Sequence, residues 1–158
     1  MPLPKQSSPV VIWVDMDSER DLTQYSLDEL AESIEAGNID ALYELGLRFA
    51  NGDEVKQSSE KAFLLWKKAA ELGHEIAQYH LALCYKDGKG VPQSDEKAAH
   101  WFRKAADQGD PDAQFNLAVC YEDGKGVPQS QKEAVRWYRK AAEQGQVSAQ
   151  FCLALCYE

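Results

Sequence analysis

Residues 74–109 and 110–145 are two copies of one 36-residue sentence. Aligned without a gap they agree at 22 positions, and the run DGKGVPQS at Asp87–Ser94 returns unbroken at Asp123–Ser130. A looser copy occupies 38–73, and a fourth begins at Gln146. Self-similarity at a fixed period of this size is the signature of a solenoid, whose units stack on their neighbours and not around one centre. Such a chain is built to present a surface.

Charge narrows the partners. The chain carries a net charge of −9, and residues 1–38 hold eight acids against two bases, Lys5 and Arg20. An acidic chain with no basic stripe lacks the footprint of a nucleic-acid binder and is repelled by anionic membranes. Nucleic acid and membrane are therefore excluded as expected partners. No apolar run approaches the roughly 20 residues of a spanning helix. Val10–Val14 (VVIWV) falls short of the roughly 7–15 apolar residues of a signal peptide, so the expected location is cytoplasmic. Cys84, Cys120 and Cys156 lie one period apart, which sets them about 10 Å apart on stacked helices. A disulfide needs Cα atoms within about 7 Å, so these thiols, with Cys152, are expected to pack as small hydrophobes.

One repeat reads as a helical hairpin. In the second copy Glu75–Lys86 forms a helix A, with Ala77, Leu81, Ala82 and Tyr85 on one arc. Gly88 stops it, Gly90-Val91-Pro92 makes the turn with Val91 plugging inward, and Ser94 caps helix B. Helix B places Ala98, Trp101, Phe102 and Ala105 at i, i+3, i+4 and i+7, with Arg103 and Lys104 facing water. In the third copy Ser130 and Glu133 fit a capping box. Neither helix can bury its face alone, so stacking is obligatory.

These residues carry a resemblance. Leu81-Ala82-x-x-Tyr85-x-x-Gly88-x-Gly90-Val91 followed by Lys97-Ala98-x-x-Trp101-Phe102-x-Lys104-Ala105-Ala106-x-x-Gly109 resembles the Sel1-like repeat, a relative of the tetratricopeptide repeat. Residues 117–145 match as well. The first copy departs at Phe49 for the tyrosine, Glu54 for the second turn glycine and Leu65 for the first aromatic. The resemblance, over roughly 38–158, implies an all-α fold, a right-handed α/α superhelix of 36-residue helix–turn–helix repeats that acts as an adaptor for other proteins. The family's cysteine-rich secreted branch pairs a cysteine near position 106 with one on helix A. This chain has alanine at 70, 106 and 142, so that scheme is absent.

The expected organisation is a flexible acidic segment at 1–25, a capping helix of a degenerate repeat at 26–37, and repeats at 38–73, 74–109 and 110–145. A partial fourth repeat, helix A only, fills 146–158. Ser26 and Glu29 should form a capping box at the start of the N-terminal helix. Residues 1–9 read as a tail, and Val10–Val14 as a docked segment or an edge strand. At the other end Phe151, Leu153, Leu155 and Tyr157 stand in a helix A with no helix B after it. That pattern predicts either end-to-end dimerisation, a homodimer through this uncapped helix, or a truncated chain.

Helix A has a second apolar arc: Tyr43 and Leu47, Tyr79 and Leu83, Phe115 and Val119, Phe151 and Leu155. By the tetratricopeptide layout it lines the concave side, rimmed by Asp40, Asn51, Lys86, Asp87, Asp112, Glu122 and Asp123. Aromatic anchors within a polar rim are how binding hot spots are built, although residues spaced at the repeat period also serve to pack neighbouring repeats. The mostly acidic rim favours a protein or peptide bearing lysines or arginines. Catalysis finds no support: His74, His80 and His100 fall on different faces, with His80 reading as a tolerant rim position. DGKGV follows a helix and lacks the Lys-Ser/Thr of a phosphate loop. No catalytic residue, metal or cofactor is expected. The leading reading is an interaction scaffold binding its partner on the concave face. The alternatives are a dedicated inhibitor or immunity-type protein blocking one target, an enzyme with a site between repeats, and a structural polymer.

Overall fold

The structure, a computed structural model, describes residues 21–158. The tail at 1–9 and Val10–Val14 lie outside the described residues. A 3-10 turn at Leu22–Gln24 leads into α1 (Leu27–Glu35). Three hairpins follow: α2 (Ile39–Asn51) with α3 (Ser59–Glu71), α4 (Glu75–Asp87) with α5 (Asp95–Gln108), and α6 (Pro111–Asp123) with α7 (Gln131–Glu143). α8 (Val147–Cys156) completes the described chain. Each helix packs chiefly on its neighbours in sequence, within a hairpin and between hairpins, which is the contact pattern of a solenoid. Helices α2, α4, α6 and α8 are the A helices, and α3, α5 and α7 the B helices.

The caps repeat with the sequence. Ser58, Ser94 and Ser130 each accept a bond from a backbone N–H three residues on, starting α3, α5 and α7. The A helices begin one period apart at Asn38, His74, Asp110 and Gln146, four residue types doing one job. The Ser26–Glu29 capping box forms in full. At Ser130 only half of it forms: the serine accepts from Glu133 N, while the Glu133 carboxylate turns to Arg136 at 3.3 Å.

The core is a ladder of alanines and aromatics, with Leu81, Leu117, Phe102, Trp137 and Tyr138 almost wholly buried. A polar ladder runs beside it. Gln78, Gln114 and Gln150 donate to the carbonyls of Ala70, Ala106 and Ala142 at 3.1–3.2 Å, tying each A helix to the end of the preceding B helix. Gln108 and Gln144 donate in turn to the side-chain oxygens of Gln78 and Gln114 at 2.6 and 2.8 Å. The buried amides of Gln78 and Gln114 meet their hydrogen-bonding needs in this way. Arg103, expected to face water, is half-buried: it donates to Tyr121 Oη and lies 5.9 Å from the Trp137 ring centre in the next repeat.

The first repeat departs from the others for a visible reason. A Cβ on Gly90 or Gly126 would stand 2.3 or 2.1 Å from the backbone oxygen of Ser59 or Asp95, so each turn lands on the preceding B helix. The equivalent of Ser59 one period earlier is Thr23. There, Arg48 takes the register that Cys84 and Cys120 hold in later repeats. Arg48 is 4% exposed. It donates to the carbonyls of Leu22, Thr23 and Tyr25 at 3.4, 3.2 and 2.5 Å, and pairs with Glu44 and Glu54 at 3.4 Å. Glu54, in the left-handed region at φ 59°, thus replaces the turn glycine as a partner of Arg48. Of the 1–25 segment expected to be flexible, residues 21–25 therefore hold a fixed place, with Tyr25 buried against Leu30 and Ala41.

Candidate functional site

Clefts lie between α2 and α4 and between α6 and α8, the first and third of the gaps between successive A helices, each floored by the B helix beneath. The first is a cavity of about 400 Å³. Ala50 and Asn51 from α2, Leu83, Cys84 and Asp87 from α4, and Trp66 from α3 are among its lining residues. These sit at i, i+1 on α2 and at i, i+1, i+4 on α4, so helical periodicity turns one stripe of each A helix toward the gap. The third cleft, of about 190 Å³, is lined by Glu122, Gln131, Cys152, Leu155 and Cys156. Advanced by two periods, Ala50, Ser59, His80, Leu83 and Cys84 become those five residues. The register is the same and the chemistry is not.

One position decides the difference. Ala50, Lys86 and Glu122 are equivalent. Ala50 leaves the first cleft open. Lys86 reaches across the gap between α4 and α6 to Asn116 Oδ1 at 3.5 Å. Glu122 turns inward in the third, where its carboxylate accepts a bond from Tyr138 Oη at 2.6 Å. Burial and this carboxylate push the Tyr138 hydroxyl well above the usual tyrosine range.

His80 is a wall of the first cleft, not a rim position. Its ring lies 4.8 Å from Trp66 and 5.5 Å from Tyr43, and Nε2 is 3.2 Å from Tyr43 Oη. Burial, and then the nearby His74, hold its pKa below the ordinary imidazole value. His74 stacks on the opposite flank of this cluster, with its ring 4.9 Å from Tyr43. Its Nδ1 accepts from Ala77 N at 3.0 Å and its Nε2 lies 3.2 Å from Asp40 Oδ1, so the rim residue Asp40 holds a helix cap in place. His74 and His80 thus both contact one tyrosine of the preceding repeat, Tyr43.

The expected binding residues divide. Leu83 and Asp87 meet in the first cleft, and Glu122 and Leu155 in the third. Tyr43, Leu47, Tyr79, Phe115 and Val119 are half-buried and pack on the core. Tyr79 lies 6.0 Å from Phe102 and Phe115 5.7 Å from Tyr138. Lys86, Asp87 and Asp123 are exposed. On α8, Phe151 and Leu155 are 66% and 52% exposed, as is Val147 at 75%, which the sequence reading passed over. Leu153, expected with them, instead packs on the core. The four cysteines are free, and burial raises the thiols of Cys84 and Cys120 to about 11. Such thiols are inert at neutral pH. Among the described residues no cluster of metal-ligating side chains occurs, and no helix is long and apolar enough to cross a membrane.

A family model for the Sel1 repeat matches three times, at residues 39–74, 76–110 and 111–146. The chain belongs to the Sel1 repeat family. Solved Sel1-type structures resemble it throughout the array. A Sel1 repeat protein from Oxalobacter formigenes is 36% identical with a TM-score of 0.76, over 81% of this chain and 96% of that one. Helicobacter pylori cysteine rich protein B is 30% identical with a TM-score of 0.61, over 81% and 98%. The antigen c5321 of uropathogenic Escherichia coli strains, described as displaying an SLR fold, is 42% identical with a TM-score of 0.77 over 80% of this chain. The chain spans 27% of that antigen's length. No curated protein matches significantly. Sel1 repeat proteins are in general non-catalytic scaffolds for protein–protein interaction. The α/α solenoid expected from the residues is the fold these structures share.

Proposed function

We propose that this chain is an adaptor, not an enzyme, and that its partner, a protein or peptide, lies along the clefts of the A-helix face. The observation that carries the reading is the pair of inter-repeat clefts, lined from equivalent positions but with Ala50 in one and Glu122 in the other. Tyr43, Leu47, Tyr79, Phe115 and Val119 support the clefts from behind while showing an edge. Leu83, Lys86, Asp87, Glu122, Asp123, Phe151 and Leu155 supply the contact. Exposed Asp40, Asp87, Asp112 and Asp123 favour basic groups at the rim.

Four free thiols suit a reducing compartment, the cytoplasm. The exposed apolar face of α8 supports self-association as well. Sedimentation over a range of concentrations tests this, and a constant monomer mass rules it out.

Affinity capture with mass spectrometry tests the adaptor role. Asn51→Arg with Asp87→Arg alters exposed residues at the first cleft, and Lys68→Glu with Lys104→Glu alters exposed residues of the B helices. The cleft variant should lose partners that the B-helix variant keeps. Retention of every partner by the cleft variant contradicts the assignment.

A further inference from the structure

Resting on the adaptor reading, we propose that the cleft between α2 and α4 is an anchor site: it takes one aromatic side chain of a protein partner, while the Asp87 carboxylate and Lys89 ammonium at its edge meet that residue's own backbone N–H and C=O. The hollow is about 400 Å³, against about 190 Å³ between α6 and α8. It falls in the range of ligand pockets, about 300–1,000 Å³. Trp66 and His80, with ring centres 4.8 Å apart, form one continuous aromatic wall, and Ala50 and Leu83 add aliphatic surface. Burial holds the His80 imidazole below its ordinary range, so at neutral pH it presents a ring without charge. A partner's aromatic side chain gains ring contacts on that wall that an aliphatic one does not.

Two charges decide how the anchor is held. Asp87 and Lys89 both line the cleft and both are exposed. Among the described residues neither has an ion-pair partner within 4.0 Å, whereas their equivalents Asp123 and Lys125 pair at 3.4 Å. Lys86, next to Asp87, reaches away to Asn116 on α6. The turn fixes Lys89: its N–H donates to the Cys84 carbonyl at 3.0 Å, and Gly90 after it abuts the Ser59 carbonyl. The Cys84 thiol in the cleft wall, raised chiefly by burial, feels Lys89 and Asp87 with opposite sign. An anion and a cation left apart at one apolar hollow suit a neutral group bearing both an acceptor and a donor, which the peptide group is. A lysine or arginine anchor would satisfy Asp87 and be repelled by Lys89, and a glutamate the reverse.

The test titrates the full chain with the N-acetyl amides of tryptophan, leucine, lysine and glutamate, read by backbone amide shifts in nuclear magnetic resonance. Tryptophan should bind most tightly, with shifts centred on Ala50, Trp66, Leu83 and Lys89. Ala50→Lys, which brings the residue type found at 86 into the hollow, should abolish binding. Asp87→Ala, at an exposed position, should weaken it by up to about fivefold, the scale of an exposed charged contact. A tryptophan probe methylated on its backbone nitrogen should bind the parent less tightly by a similar factor, and Asp87→Ala should not distinguish the two probes. Should Ala50→Lys unfold by circular dichroism, Asp87→Ala with the methylated probe carries the test. Another probe binding as tightly as tryptophan, shifts indifferent to these substitutions, or no binding by any probe overturns the anchor assignment. The capture experiment, which uses no probe, then judges the adaptor role by itself.

Discussion

Replacing Gly46 by alanine should destabilise the protein, and the same replacement should cost much less when Trp66 is already phenylalanine. A Cβ on Gly46 would stand 2.4 Å from Trp66 Nε1 and 2.6 Å from Cδ1, inside any tolerable contact. Overpacking of this kind costs about 1–3 kcal/mol, and the better helix propensity of alanine returns about 1 kcal/mol. A net loss of up to about 2 kcal/mol is expected, or up to roughly 8 °C in Tm for a chain of this size. The equivalents of Gly46 and Trp66 are Ala82 with Phe102 and Ala118 with Tyr138, so a small residue on helix A is matched to ring size on helix B. Trp66→Phe alone should cost about 2 kcal/mol, since it loses volume and the 3.3 Å bond from Nε1 to the Tyr43 carbonyl. The double variant rebuilds the second repeat's pairing. Its cost should fall short of the summed single costs by about 1–2 kcal/mol. Urea unfolding followed by far-ultraviolet circular dichroism measures all three. Additive costs, or a Gly46→Ala variant more stable than the parent, would refute the reasoning.

Three further outcomes follow from the geometry. Gly90→Ala should destabilise by about 1–3 kcal/mol more than Gly73→Ala in thermal melts, since both glycines have positive φ but only the former meets backbone, at 2.3 Å from Ser59 O. Stability should fall as pH drops from about 7 to 5, because burial holds the folded-state pKa of His80 below its unfolded value near 6.5 and the unfolded chain then binds the proton more readily. His80→Asn, the residue found at 116, should flatten that slope, and an unchanged slope would sink the assignment. Arg48→Met should release residues 21–25 from α2, raising amide hydrogen exchange over α1 by at least about tenfold as the guanidinium bonds, worth about 1.5–3 kcal/mol each, are lost. Unaltered exchange there would show that Arg48 does not anchor the segment.

The fold was legible because the repeat writes it several times over. Gly88, Ser94, Pro92 and the alanine–aromatic spacing mark hairpin boundaries without reference to any distant contact, and the solenoid restricts long-range contacts to the next unit. The site was harder to read, since repetition cannot separate packing from binding. Tyr79 and Phe115 recur at the repeat period because they pack on Phe102 and Tyr138. The informative position was the one where the copies disagree, Ala50, Lys86 and Glu122, and a comparison by period alone would have found it. Gln78 and Gln114 were likewise visible as polar residues in a register otherwise buried. His80 was misread because its counterparts Glu44, Asn116 and Cys152 suggested tolerance, whereas its ring is fixed by Tyr43 and Trp66, which no single-helix pattern reveals. Arg48 depended on a contact with residues 22–25, beyond the reach of any repeat pattern.

Site-specific photo-crosslinking tests the central claim most directly. A benzophenone side chain placed in turn at the exposed positions 51, 87 and 123 of the A helices, or at 68, 104 and 140 of the B helices, reports which face a bound partner covers. The account predicts crosslinks to a captured partner from 51, 87 and 123. Crosslinks confined to 68, 104 and 140 would place the partner on the opposite face and contradict it.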